Sequence, residues 1–232
     1  MMFGGIEPLS LSDYENEIST VLFTIGCPFR CKFCYNVDLL SQEYFDKSGR
    51  KVITEDEALE KIQSHIKMIT AVSFTGGEPC ANADLLEFIK KLHLIGVKKI
   101  KVDTSGFNPD MIQMCIDSKL VTRIAMDLKG PLSRYPEITG FSNITAIKKS
   151  IQLLKNSTID REFRLTLLPS LTKSDIIDTI SLVPGETIYL QQFEPEHAYS
   201  IDVRGMTPLL KSVVDNIVEE TKNIANVKLR GF

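Results

Sequence analysis

The sequence has no apolar run long enough to span a bilayer, and its first residues lack the basic-then-apolar pattern of a secretory signal. These two absences set the expectation of a cytoplasmic protein with no membrane partner. Neither sign of charge is in excess: 27 Lys and Arg against 30 Asp and Glu leave a net charge of −3. So balanced a chain has no general electrostatic pull on nucleic acid, and none is expected as a partner. Internal repeats and low-complexity tracts are also missing. Cysteine is sparse, five in 232 residues, yet three of the five crowd into the eight positions Cys27–Cys34. A disulfide framework would be spread along the chain; a cluster in a reducing compartment reads as metal ligation.

The crowded stretch is Gly26-Cys27-Pro28-Phe29-Arg30-Cys31-Lys32-Phe33-Cys34-Tyr35-Asn36, directly after an apolar, β-branched run over 20–25. Cysteines at i, i+4 and i+7 would also suit one face of a helix, but Gly26 and Pro28 around the first one oppose a regular helix there. Such a loop can turn three thiolates toward one centre. A closed zinc site or an ordinary cubane takes four protein ligands. Either a fourth comes from elsewhere, as in a zinc knuckle, or one position is left open. Cys80 and Cys115 stand apart and read as buried small hydrophobes.

Past this loop the chain alternates short apolar runs with helical stripes. The pattern predicts strands over 20–25, 71–75, 99–103, 122–127, 162–168 and 187–193. Helix starts are signalled by Thr54 with Glu57, by Asn82, by Asn108 before Pro109, and by Thr207-Pro208 ahead of a last apolar stripe. Residues 1–19 read as a lead-in segment, residues 36–53 as a surface excursion, and 20–232 as a single domain. Six strand-then-helix units predict an α/β fold, an open six-stranded parallel partial (β/α)6 barrel, with a doubly wound sheet as the fallback.

The unusual residues fall where such a fold keeps its ligands. Cys27–Cys34, Gly76-Gly77-Glu78-Pro79, Asp103-Thr104-Ser105-Gly106, Asp127-Leu128-Lys129 and the Gln191-Gln192 region each follow a predicted strand. Carboxyl ends of parallel strands share one face, so these clusters are expected to converge. Arg164 faces either the barrel interior and a carboxylate, or solvent. His197 lies in a polar segment after the sixth strand and is left out of the site.

Cys27-x3-Cys31-x-Phe33-Cys34 together with Gly76-Gly77-Glu78-Pro79 resembles the radical S-adenosylmethionine (radical SAM) superfamily. Phe3-Gly4-Gly5-Ile6, Asp103-Thr104-Ser105-Gly106 and Met126-Asp127-Leu128-Lys129-Gly130 look like the activating proteins of glycyl-radical enzymes, most like those of anaerobic ribonucleoside-triphosphate reductase. Two positions depart from that pattern: Tyr35 stands where His is usual, and Ser105 where Asn is usual. The resemblance implies a 4Fe-4S cluster held by Cys27, Cys31 and Cys34, its fourth iron chelated by S-adenosylmethionine. It further implies reductive cleavage to a 5′-deoxyadenosyl radical, flavodoxin or ferredoxin as electron donor, and a glycine of a partner enzyme as hydrogen donor. No catalytic side chain is required, and no second cluster is expected, since residues 35–79 hold no cysteine. Cofactor contacts are expected from the Gly76, Gly77, Glu78 and Pro79 loop. There Gly77 would let the backbone approach the methionine ammonium, Glu78 would fix the loop or accept from the ammonium, and Pro79 would stiffen it. Lys129 is expected at the carboxylate, and Phe33 and Tyr35 at the adenine. Asp103, Thr104 and Asp127 can hold the ammonium, the ribose or a monovalent cation. A radical SAM enzyme acting on a small molecule, such as 7-carboxy-7-deazaguanine synthase, is the alternative.

Overall fold

The computed structural model describes residues 1–196 and 198–232; His197 lies outside the described residues. The chain opens on β1 (Met2–Ser10) and β2 (Ser19–Thr24), followed by α1 (Gln42–Lys47), β3 (Ile53–Thr54) and α2 (Glu55–Ser64). Alternation then sets in: β4 (Ala71–Gly76), α3 (Leu85–Leu94), β5 (Lys99–Thr104), α4 (Pro109–Ser118), β6 (Arg123–Leu128). It continues with α5 (Tyr135–Thr139), α6 (Ile144–Asn156), β7 (Asp160–Thr166), α7 (Lys173–Ile180) and β8 (Thr187–Gln191). The chain closes on α8 (Ile201–Arg204), α9 (Lys211–Thr221) and β9 (Asn226–Arg230).

All described strands join one open sheet in the order β3-β1-β2-β4-β5-β6-β7-β8-β9. From β2 to β9 every pairing is parallel, while β1 runs antiparallel to both β2 and β3. The α/β reading and the open parallel sheet hold, with two additions. A seventh parallel strand, β9, extends the predicted six, and the lead-in residues form the edge strand β1 rather than a separate segment.

The two faces of this sheet differ in kind. On one face Val72, Phe74, Ile100, Val102, Ile124, Met126, Phe163, Leu165, Ile188 and Leu190 are buried and join the hydrophobic core with the helices. Phe74 and Phe88 of α3 meet edge to face at 6.1 Å between centroids, and Phe88 also meets Phe3 at 5.1 Å. The alternate residues are polar or charged: Ser73, Lys101, Asp103, Arg123, Glu162 and Arg164 are buried on the opposite face. A closed barrel fills that face with bulky branched residues. Here it is largely polar.

Several helix starts match their signals. Thr54 accepts from the Glu57 N–H while Glu57 reaches back to Thr54, a reciprocal cap on α2. Removing the hydroxyl in Thr54→Ala is expected to cost about 1 kcal/mol of stability, read by urea denaturation. Asn108 caps α4, with Pro109 in its first turn. Two expectations fail. Asn82 caps nothing; its side-chain amide donates to the carbonyls of Glu78 and Pro79, and α3 begins after Asp84. The last helix starts at Lys211 and not at Pro208, leaving Leu210 and Val213 exposed and burying Val214, Ile217 and Thr221.

Candidate functional site

The cysteine loop leaves β2 through Gly26, whose φ of +98° suits a residue without a side chain. Its backbone is tied on two sides. The N–H groups of Gly26 and Cys27 donate to the carbonyls of Leu39 and Leu40 at 2.8 and 3.1 Å. On the other side Arg30 and Lys32 donate to Thr139 and Ile138 at the end of α5, at 2.7 and 3.1 Å. The expectation of a surface excursion over 36–53 is therefore wrong. Leu39, Leu40 and Phe45 are buried there, and the segment braces the loop from below. Within the loop Phe29 is buried and stacks on Phe141 at 4.6 Å, while the Arg30 guanidinium donates to the carbonyls of Cys27 and Phe29.

Cys31 is buried, and Cys27 and Cys34 are half-buried. Burial, reinforced by the nearby Glu78 charge, pushes the Cys27 thiol up to about 12. Burial likewise takes Cys31 to about 12, against the opposing pull of Lys129, and it raises Cys34 too. The three lie close enough for their charges to repel one another. Thiolates in such a place need a strongly cationic centre to form. Among the described residues no three His, Cys, Asp or Glu converge as ligands of one metal ion. A cubane asks for something different, because each thiolate takes its own iron. Three soft donors on a braced loop fit that group.

The glycine loop is built against the cysteine loop. Gly77 donates to Thr24 O at 2.9 Å and Glu78 to Gly26 O at 2.8 Å. A Cβ on Gly77 would strike Gly26 O and come within 2.8 Å of Leu39 O, and one on Gly76 would come within 2.7 Å of Thr24 N. Both glycines are thus required by backbone contact between the loops. Glu78 is 1 % exposed, and four donors use its carboxylate. Cys80 N and Thr104 Oγ1 donate to Oε1 at 3.0 and 2.8 Å; Ser105 N and Oγ donate to Oε2 at 2.7 and 2.6 Å. Burial pushes this carboxyl up, while those hydrogen bonds pull it down. A carboxylate offers about four lone-pair sites, so Glu78 clamps the end of β4 to the turn after β5. Pro79 and Cys80 are buried in the short 3-10 turn that follows, and Cys80 lies against Cys115 as a small hydrophobe would.

Next to this clamp runs a chain of alternating charge. Asp103 Oδ1 lies 2.8 Å from the Lys101 ammonium, an ion pair by distance although its angle falls outside hydrogen-bond geometry. Arg164 Nη1 donates to Asp103 Oδ2 at 3.1 Å, and its Nε to Asp127 Oδ1 at 2.6 Å. Lys129 Nζ donates to Asp127 Oδ2 at 3.1 Å. Burial alone would raise the Asp127 carboxyl, but Arg164 and then Lys129 outweigh it and hold it well below the usual carboxylate range. Burial would likewise raise Asp103, and Arg164 and Lys101 lower it. Arg164 Nη1 also lies 3.9 Å from Glu162 Oε1, so three cations meet three anions, with the Lys129 ammonium at the end of the chain.

The aromatic contacts complete the outline. Lys129 Nζ lies 5.6 Å from the centroid of the Phe33 ring, and its backbone N–H donates to Tyr135 Oη. Tyr35 is 39 % exposed, lies 6.4 Å from Phe193, and accepts from Glu194 N at 2.6 Å through its hydroxyl. Phe33, Tyr35, Gly76 to Pro79, Asp103, Thr104, Asp127 and Lys129 thus lie at or just past the carboxyl ends of β2, β4, β5 and β6, the end of the sheet that carries the three cysteines. Sequence reasoning left Arg164 open; it faces the carboxylates. It missed Lys101 and Ser105, whose roles depend on which strand lies beside which. A separate hollow of about 320 Å³, lined by Ile66, Thr70, Gly96 and Lys99 among others, sits at the opposite ends of β4 and β5.

A family model described as the radical SAM superfamily matches residues 21–183. A protein of Methanocaldococcus jannaschii, named provisionally as a glycyl-radical enzyme activating enzyme, is 28 % identical over 240 residues, covering 96 % of this chain and 97 % of the relative. The pyruvate formate-lyase-activating enzyme of Clostridium pasteurianum is 24 % identical over 82 % of this chain and 84 % of its own. A GTP 3′,8-cyclase of Helicobacter pylori is 23 % identical over 87 % of this chain, which spans 63 % of the cyclase. Among solved structures, SuiB of Streptococcus suis bound to S-adenosylmethionine superposes with a TM-score of 0.65 at 12 % identity, over 91 % of this chain and 50 % of SuiB.

Proposed function

Because the chain belongs to the radical SAM superfamily, we propose that it activates a glycyl-radical enzyme by abstracting hydrogen from a glycine Cα of that partner. Membership brings with it a 4Fe-4S cluster and S-adenosylmethionine, which together supply reductive sulfonium cleavage and a 5′-deoxyadenosyl radical. The chain's own residues do the rest. Cys27, Cys31 and Cys34 would hold the cluster and leave one iron without a protein ligand. Gly76 and Gly77 bring backbone polar groups beside that loop, and Glu78 locks them in place. Lys129 offers its charge to the methionine carboxylate, and Phe33 and Tyr35 offer apolar surface to the adenine.

The observation that carries this reading is the convergence of three thiols, a glycine loop and the Lys129 ammonium at one end of the sheet. Full-length similarity to a relative named for glycyl-radical activation supports a polypeptide substrate over a small molecule. Within that class the anaerobic ribonucleoside-triphosphate reductase is the proposed partner, with flavodoxin or ferredoxin as donor. Asp103 and Asp127 already meet three side-chain cations, so a monovalent cation beside the cofactor is not part of the proposal. Lys129→Ala is expected to raise the dissociation constant for S-adenosylmethionine about tenfold to a hundredfold, the worth of a charge-assisted hydrogen bond, with cluster content unchanged. The deciding experiment is anaerobic reconstitution with the reductase and reductant. A glycyl EPR signal matched by 5′-deoxyadenosine supports the reading, and its absence sinks it. Turnover of a purine substrate without any protein partner would favour the small-molecule alternative, toward which the likeness to GTP 3′,8-cyclase points.

A further inference from the structure

The inward face of β9 is barrel wall that the cofactor site does not use. Val227 and Leu229 lean on the hydrophobic core, so alternation puts Lys228 and Arg230 on the other face. Both lie over the Tyr189 ring, Lys228 Nζ at 5.4 Å and Arg230 Cζ at 4.4 Å from its centroid. Strand register extends this face toward the site. One row runs Asp127, Arg164, Tyr189, Lys228; two residues further along each strand the next row holds Thr166, Gln191 and Arg230. Lys129 stands two residues beyond Asp127, level with that second row.

Arg230 differs from the other inward arginines. Arg123 is held by Asp160 and Glu162, and Arg164 by Asp103 and Asp127. Arg230 and Lys228 form no ion pair with any described residue; Glu15 accepts from Tyr189 Oη at 3.3 Å. Lys228 Nζ donates to that same hydroxyl at 3.3 Å. The Tyr189 ring meets the guanidinium on one side, and its N–H groups bond to no described residue, which leaves them able to capture a carboxylate. β9 ends the sheet, so nothing in the sheet covers its far side.

We propose that Arg230, stacked on Tyr189 with Lys228 beside it, is a docking subsite for a carboxylate side chain of the polypeptide substrate. The segment bearing that carboxylate crosses Gln191 and Thr166 toward Lys129. Three strand spacings separate β9 from β6, roughly 14 Å, which is about four residues of extended chain. The captured acid therefore lies about four residues from the part of the segment that reaches Lys129. This subsite rests on the activating-enzyme reading above.

The test uses the cluster-loaded full chain with the anaerobic ribonucleoside-triphosphate reductase, following the glycyl EPR signal as reductase concentration varies. Arg230→Gln is expected to raise the half-saturating concentration about tenfold and to flatten its salt dependence. Lys228→Gln has a smaller effect, and Arg230→Lys falls between, because an ammonium keeps the charge but not the fork. Binding of S-adenosylmethionine, measured by equilibrium dialysis, stays at the wild-type value in Arg230→Gln, since Arg230 touches Tyr189 and not the cysteine or glycine loops. Wild-type half-saturation in Arg230→Gln overturns the subsite, and so does a parallel loss of cofactor binding. Absence of a glycyl signal with the wild-type chain instead overturns the activating-enzyme reading, and the subsite with it.

Discussion

Arg164→Leu is expected to destabilise the protein by about 3–5 kcal/mol at neutral pH, the usual cost of removing one member of a buried charge group. Arg164 is 8 % exposed and bridges Asp103 and Asp127, which are themselves largely shielded from water. Leucine fills comparable space but offers nothing to either carboxylate. Lys101 and Lys129 each retain one acid, yet each acid loses a strong partner in a place where burial already disfavours its charge. The pH dependence carries the mechanism. In the wild type both carboxyls sit below their unfolded values, so the stability they confer is complete above an unfolded pKa of about 3.9 and is lost only as pH falls through the lower folded values. Without Arg164 burial wins, the folded values rise above the unfolded ones, and acidification then relieves the strain. The variant's deficit should therefore shrink between pH 8 and pH 5.5, as read by urea denaturation at each pH. A deficit independent of pH would mean that lost packing, and not uncompensated charge, sets the cost. Cofactor binding should suffer as well, because Asp127, freed from Arg164, pulls Lys129 away from its outward task.

Much of this site was legible in the sequence because its signals are local. Cys27, Cys31 and Cys34 carry their meaning in their spacing, and Gly76-Gly77-Glu78-Pro79 announces a tight turn after an apolar run. Their convergence followed from one topological rule about parallel strands. What escaped notice depends on contacts distant in sequence. Ser105 stands out in the sequence only as a departure from the usual Asn, yet its N–H and hydroxyl supply half of the donors on Glu78. Residues 36–53 read as a surface excursion because Leu39, Leu40 and Phe45 are spread among polar and charged neighbours, and their burial needs the cysteine loop packed against them. β9 has only two apolar residues in five, alternating with exposed or half-exposed positions, and that pattern at the end of a chain is hard to tell from a solvated tail. Arg164 and Lys101 alternate with apolar residues as any half-buried strand would. Only the register between β5, β6 and β7 shows that they face acids.

Cys31→Ala is expected to abolish iron–sulfur loading and, with it, all 5′-deoxyadenosine formation, while the chain stays folded. Loss of loading follows from the donor count. On the proposed assignment three thiols would leave one iron without a protein ligand, and two would not hold a cubane against solvent and reductant. Persistence of the fold follows from how the loop is held. Its backbone is anchored by Gly26 and Cys27 to Leu39 and Leu40 and by Arg30 and Lys32 to α5, and no thiol takes part in those bonds. Truncating one small buried side chain removes few contacts, so the cost in stability is about 1 kcal/mol, well short of unfolding. Cys80→Ala and Cys115→Ala provide the contrast. Both are as buried as Cys31, but they pack against one another beneath the glycine loop. Each should lose a comparable amount of stability and keep its full complement of iron. Iron and sulfide per chain, assayed beside thermal melting for all three variants, separate the two roles. Iron retained in Cys31→Ala, or lost in Cys80→Ala, would show that the cluster is held by a different set of thiols.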